Sequence, residues 1–183
     1  MARRLLCALA VLALGAGTIA ACSGDDRPSE GAGSRPNIVF ILTDDQTFES
    51  LRVMANTQAL LGDQGTTFSD AIISYPLCCP SRATFLTGQY AHNHGVLENV
   101  PPNGGVGALD AEETLAVWLQ RAGYATSHVG KYLNGYGDVS PPTVPPGWTD
   151  WFGLQDPSTY GYLAYDVSIN GTGGGLALGE VGL

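Results

Sequence analysis

Asn37-Ile38-Val39-Phe40-Ile41-Leu42-Thr43-Asp44-Asp45-Gln46 is the stretch on which the fold class turns. Six consecutive apolar or β-branched positions, without alternation, are the pattern of a strand covered on both faces, as in a parallel sheet with helices on either side. The run stops at two adjacent carboxylates. In open α/β sheets the crevice beyond the carboxyl ends of the strands is where ligands sit, so Asp44 and Asp45 are candidate site residues. Neighbouring like charges repel unless a cation or a hydrogen-bonding group holds them. Two hard oxygen donors suit calcium or magnesium and not a thiophilic metal. A helix N-cap aspartate with an acidic neighbour in the first turn is the competing reading.

Outward from this stretch, the chain alternates elements. Residues 56–63 (NTQALLGD) are predicted as a helix with Leu60 and Leu61 inward, and residues 66–75 (TTFSDAIISY) as a strand. Glu112 to Ala122 places Leu115, Trp118, Leu119 and Ala122 at helical spacing, closed by Gly123. Tyr124 to Val129 returns as a strand that runs into Gly130-Lys131-Tyr132-Leu133-Asn134, where the lysine can point into the crevice that holds Asp44. Tyr160 to Ile169 reads as strand, with Asn170-Gly171 as a tight hairpin turn. Residues 99–109 form a loop that can rim a cleft. No closing helix or strand is legible after Thr172, so the folded part reads as the N-terminal portion of a longer domain.

Between these elements lies Pro76-Leu77-Cys78-Cys79-Pro80-Ser81-Arg82-Ala83-Thr84-Phe85-Leu86-Thr87-Gly88. Proline is pre-set for the first helical position, so Ser81 to Leu86 is predicted as helix, ended near Gly88. The cysteine pair then sits just ahead of a helix N-terminus, where free N–H groups and the dipole favour an anion. A disulfide between the two neighbours is disfavoured, because adjacent Cα atoms lie about 3.8 Å apart, below the usual bridging range. In His92-Asn93-His94 the histidines form a possible metal pair, with local hydrogen bonding as the alternative.

The N-terminus is an export signal. Met1-Ala2-Arg3-Arg4 is a positive n-region and Leu5 to Ala21 an apolar run too short for an ordinary membrane span. Ile19-Ala20-Ala21-Cys22 resembles a bacterial lipobox, so residues 1–21 are read as a lipoprotein signal peptide with Cys22 as the lipidated residue. Cleaved secretion and an uncleaved anchor are the alternatives. Residues 22–35 are polar and rich in Gly, Ser and Pro, a tether of coil character, and residues 36–183 form the folded domain. The formal charge of −9 over 183 residues makes the chain a poor candidate for a phosphate-backbone binder, so nucleic acid is not an expected partner. The expected location is the outer side of a bacterial cytoplasmic membrane.

Cys78-Cys79-Pro80-Ser81-Arg82 with Leu86-Thr87-Gly88 resembles the signature of the type I, formylglycine-dependent sulfatases, within the alkaline-phosphatase-like superfamily. Asp44-Asp45 and Gly130-Lys131 occur in that family's order, and the wording from Arg35 to Thr172 is similar to the N-acetylglucosamine-6-sulfatase group. The resemblance implies an α/β fold, a sheet flanked by helices. It implies that Cys78 is converted by a formylglycine-generating enzyme to an aldehyde, whose hydrate has two hydroxyls on one carbon. One attacks the sulfate sulfur and releases the sugar alcohol; the other collapses to the aldehyde and expels sulfate. It implies calcium, ahead of magnesium, held by Asp44, Asp45 and the residue derived from Cys78. Arg82 would hold the hydrated aldehyde and Lys131 bind sulfate or assist the leaving oxygen, while Asn134 and His94 would be substrate-binding residues. Cys79 fills a variable slot and needs no role. Many sulfatases carry a histidine two residues after the lysine; here that position is Leu133.

The expected activity is therefore sulfate-ester hydrolysis on an N-acetylglucosamine-6-sulfate-type sugar or a glycosaminoglycan. A phosphomonoester or phosphonate hydrolase of the same superfamily is the first alternative. A catalytically incomplete lipoprotein fragment that only binds glycans is the second, since a second metal pair and a C-terminal subdomain are expected beyond residue 183.

Overall fold

A computed structural model describes residues 35–177, the last six of them through their backbone. The signal segment, Cys22 and nearly all of the tether lie outside the described residues. The chain divides into two compact units at Leu42 and Thr43.

In the first unit, residues 35–42 carry no helix or strand, and Ile38 to Leu42 are exposed. The strand expected at residues 37–43 is therefore not formed. A strand exists through the N–H and C=O groups of its neighbours, and among the described residues no ladder pairs this run. Apolar character without a ladder partner leaves irregular chain.

Among the described residues, the second unit contains four α-helices, α1 (Ala55–Thr57), α2 (Cys78–Thr87), α3 (Ala91–His94) and α4 (Leu115–Arg121), and four strands, β1 (Ser127–Gly130), β2 (Asp150–Leu154), β3 (Ala164–Ile169) and β4 (Thr172–Ala177). The strands lie in the order β1-β2-β3-β4 in one sheet. β1 and β2 are parallel, with Ser127 opposite Asp150, whereas β2, β3 and β4 are successively antiparallel. The architecture is mixed α/β as expected, and its sheet is mixed. The β3–β4 turn is Asn170-Gly171, both residues at positive φ (49° and 85°), the backbone of a primed hairpin turn.

Three further expectations shift. Residues 66–75 are irregular, with Phe68, Ile72 and Ile73 exposed, because no ladder pairs them either. Residues 55–62 form a short α-turn continued by a π-turn, and Leu60 and Leu61 face solvent. On α4 the buried residues are Ala116 and Val117, while Trp118 is exposed. The cause is Gly147, at φ +86°. A Cβ there would lie 2.3 Å from Val117 N and 2.6 Å from Ala116 C, so backbone meets backbone and the small side of the helix turns inward. The larger residues are displaced to its flanks.

The core is built by α2 and by the long connection between β1 and β2. Cys79, Ala83 and Leu86 bury one face of α2 at i, i+4 and i+7, and meet Val96, Leu109, Tyr132, Leu133, Tyr136 and Trp151. Trp151 is fully buried, and its indole Nε1–H donates to Tyr136 Oη at 2.7 Å, satisfying the polar atom that burial would otherwise strand. This core fixes the β1 end against the start of α2.

Candidate active site

Helix α2 begins earlier than the sequence pattern predicts. Leu77, extended at φ −142°, is the N-cap, so Cys78 and Cys79 are the first two helical residues and Pro80 the third. Proline is tolerated there because the N–H groups of the first turn have no intrahelical partner. The helix ends at Gly88 in the left-handed conformation, as predicted. Of the first-turn N–H groups, Cys79 N–H donates to Asn99 Oδ1 at 2.9 Å and Pro80 has none. The helix end supplies its dipole, but holding an anion falls to side chains.

Those side chains converge on Asp44. Lys131 Nζ lies 2.8 Å from Asp44 Oδ2, and Arg82 Nη2 lies 3.3 Å from the same oxygen. Cys78 Sγ stands 3.9 Å from the other carboxylate oxygen, Oδ1. Arg82 is further pinned by donating through Nη1 to the backbone carbonyls of Lys131 (2.6 Å) and Tyr132 (3.3 Å). The guanidinium thus ties the first turns of α2 to the chain leaving β1. Both cations are nearly covered, at 12% and 10% side-chain exposure, while Asp44 is 37% exposed.

Electrostatics follow from this geometry. Burial alone would raise the Asp44 carboxyl, but the Lys131 ammonium and then Arg82 outweigh it and hold it below its usual range. Burial alone would deprotonate Lys131 more easily. Its bonds to Asp44 and the Tyr160 phenol reverse that, with the charges of Cys78 and Asp44 adding, so it keeps its proton at all physiological pH. Lys131 Nζ also stands 5.0 Å from the centre of the Tyr160 ring, within cation–π range.

Asp44, Asp45 and Cys78 offer ligand atoms that all lie within 4.8 Å of one another. Asp45 sits at φ +52°, a conformation a non-glycine residue adopts at some cost and one that recurs at ligand sites. Two carboxylates make a hard donor set that fits calcium. They also balance the two fixed cations, so a bound calcium leaves the cluster net positive, which suits an anionic ester.

The remaining predicted residues are placed as follows. Asn134 lies beside the cysteines: its backbone N–H donates to Cys79 Sγ at 3.2 Å and its Nδ2 to Tyr160 Oη at 2.8 Å. His94 has both ring nitrogens engaged locally, Nε2 with Thr84 Oγ1 at 3.1 Å and Nδ1 accepting from Val96 N–H at 3.1 Å. It braces α2 and makes no contact with Asp44, Arg82 or Lys131. His92 stacks instead on Tyr90, so the His-x-His pair does not converge on one point. Two residues at the site carry no motif. Asn99 was legible only as part of a loop that rims a cleft, and Tyr160 only as the start of a strand; it closes a 3-10 turn, Ser158–Tyr160, ahead of β3. Their signal is tertiary.

A cysteine at a helix start, two immobilised cations and paired carboxylates meet at one place on an α/β scaffold. The chain belongs to the sulfatase family, whose model matches residues 36–172. It is 40% identical over 148 residues to human N-acetylglucosamine-6-sulfatase, covering 75% of this chain and 26% of that protein. It is 43% identical over 141 residues to the extracellular sulfatase SULF-1 homolog of Drosophila melanogaster, covering 75% and 12% respectively. To the N-acetylglucosamine-6-O-sulfatase of Bacteroides thetaiotaomicron it is 30% identical over 128 residues, 67% of this chain and 22% of that one. The chain thus spans about a quarter or less of the length of these relatives. No solved structure matches it.

Proposed function

We propose that the protein hydrolyses sulfate esters of N-acetylglucosamine-6-sulfate-type sugars or glycosaminoglycans, outside the cytoplasm. The observation that carries this reading is the convergence of Arg82 and Lys131 on Asp44 Oδ2 beside Cys78. The sugar class follows the names of the relatives, and export follows the signal-like N-terminus together with the extracellular relatives. Membrane attachment through Cys22 is part of the same proposal.

A formylglycine made from Cys78 would supply, as its hydrate, two hydroxyls on one carbon, one as nucleophile towards sulfur and one to release sulfate without water attacking sulfur. Asp44 and Asp45 would hold a calcium ion, which would supply Lewis-acid withdrawal of charge from a sulfate ester. The chain's own residues do the rest. Arg82, clamped by two carbonyls, keeps a guanidinium fixed on the Asp44 side of residue 78. Such preorganised charge costs no reorganisation at the moment of reaction. Lys131 remains protonated and close, so it binds a sulfate oxygen and delivers a proton to the departing sugar oxygen. Asp44 holds that ammonium in place until substrate arrives. Asn134 and Tyr160 line the same side and meet the sugar.

Peptide mass spectrometry across Leu77–Arg82 in the intact protein, produced with a formylglycine-generating enzyme, tests the nucleophile; turnover of matched aryl sulfate and aryl phosphate esters tests the ester. The expected outcome is a mass loss at Cys78, faster sulfate cleavage, and loss of at least about a thousandfold in kcat for Cys78→Ser. An unmodified Cys78, or faster phosphate cleavage, overturns the proposal and in the second case favours a phosphate-ester hydrolase of related fold.

A further inference from the structure

The second cysteine of the pair is the most tightly held residue at the site. Cys79 is fully buried, its backbone N–H is taken by Asn99, and its thiol lies against Asn134 and the Gly105 backbone. Cys79 Sγ–H donates to Asn134 Oδ1 at 3.3 Å, and Asn134 N–H donates back to Cys79 Sγ at 3.2 Å. One sulfur therefore grips both the main chain and the side chain of one asparagine. The opposite side of Asn134 is fixed as well, since its carbonyl accepts from Val106 N–H at 2.8 Å. With Oδ1 occupied, the amide's Nδ2 points one way, onto Tyr160 Oη at 2.8 Å. That phenol belongs to a ring standing 5.0 Å from Lys131 Nζ, on a residue 53% exposed.

We infer that Cys79 is a positioning residue: its thiol sets the amide orientation of Asn134 and, through it, the placement of Tyr160 beside Lys131, on the side of the site that receives the sugar. The thiol also makes chemical sense at this point. An alanine offers neither donor nor acceptor, a valine fills the space but is equally mute, and a serine hydroxyl both donates and accepts. Loss of the clamp leaves the part-buried Asn134 N–H unpaired and the amide free to flip. The inference about the sugar side rests on the proposed sulfate-ester hydrolysis; the clamp itself does not.

Three substitutions separate positioning from packing: Cys79→Ala, Cys79→Val and Cys79→Ser, each in the intact protein and each normalised to the formylglycine content at residue 78. For a sulfated glucosamine ester, Ala and Val are expected to raise KM about threefold to tenfold with kcat nearly unchanged, and Ser to return it towards wild type. Amide hydrogen exchange across residues 131–137, which needs no turnover, should accelerate about fivefold in Ala and Val but not in Ser. In the unmutated chain the infrared S–H stretch lost in Cys79→Ser should lie at the hydrogen-bonded end of its range. Rescue by Val with failure of Ser assigns Cys79 to packing and overturns the inference, as does a free-thiol S–H frequency. If the wild type cleaves no sulfate ester, the functional proposal falls, and the exchange order and S–H frequency alone decide the clamp.

Discussion

Acidification probes the aromatic stack on which Lys131 is mounted. His128 lies on β1, three residues before Lys131, with its ring 4.4 Å from that of Trp151 at an interplanar angle of 21°. Trp148 lies 5.2 Å away and Tyr132 meets the imidazole edge-on at 5.7 Å. Burial pushes the imidazole down from 6.5 to about 4. Its bond to the Gly130 carbonyl opposes this in part, and the Arg82 charge adds to the lowering. Between those two values the unfolded chain binds a proton that the folded chain refuses. The associated stability is fully present above pH 6.5 and is lost as pH falls towards 4. Integrating the linkage relation gives a loss of about 2.5 kcal/mol between pH 7 and pH 4.5. The depressed Asp44 carboxyl acts at lower pH, since its contribution is present above 3.8 and is lost only as pH falls through its still lower folded value. Urea unfolding of the wild type and of His128→Phe, at both pH values, isolates the histidine because phenylalanine keeps the stacking and cannot titrate. The wild type should lose the full amount and the variant little of it. Equal losses in both, or none in the wild type, would refute the reasoning. The same window bears on activity. β1 ends at Gly130, so a charged His128 loosens the strand that aims Lys131.

Two other perturbations address the site and its mounting. Asp44→Asn removes the partner that keeps Lys131 protonated, so labelling of Lys131 by an amine-reactive reagent near pH 9 should quicken several-fold while sulfate-ester turnover collapses. An unchanged labelling rate would show that the two groups are not paired in solution. Gly147→Ala places a Cβ against the Ala116–Val117 backbone at a positive φ, and should destabilise the chain by at least about 2 kcal/mol in thermal or urea unfolding. A change of only about a few tenths of a kcal/mol would mean that α4 does not pack on Gly147.

What was legible in the sequence divides along physical lines. The helix end at Gly88 and the turn at Asn170-Gly171 depend on local conformational preferences and appear where they were expected, whereas the helix starts three residues earlier than predicted, at Cys78. The strand after α4 and the one before the turn were found, trimmed to Ser127–Gly130 and Ala164–Ile169. The runs at 37–43 and 66–75 have equally good strand composition and form none. Strand formation is a property of pairs, and apolar content cannot reveal whether a partner is in reach. The inward face of α4 was misjudged for a related reason. Helical spacing nominated Trp118, but a glycine some thirty residues later decides which side packs.

The site follows the same division and adds a further point. Asp44, Arg82 and Lys131 were nominated from motifs on separate segments, and the structure joins them through one carboxylate oxygen. What the motifs omit is the set of residues that hold them. Arg82 is aimed by the carbonyls of Lys131 and Tyr132, Cys79 N–H by Asn99, and Asn134 by the thiol that the signature leaves unassigned. Main-chain acceptors have no residue identity, and single asparagines have many uses, so neither leaves a pattern in sequence. The two cysteines illustrate the consequence. They are adjacent and chemically alike, yet Cys78 faces Asp44 across an open position while Cys79 is sealed into the core against Asn134. On a helix, successive residues point about 100° apart, and that rotation turns one sulfur towards Asp44 and the other into the core against Asn134.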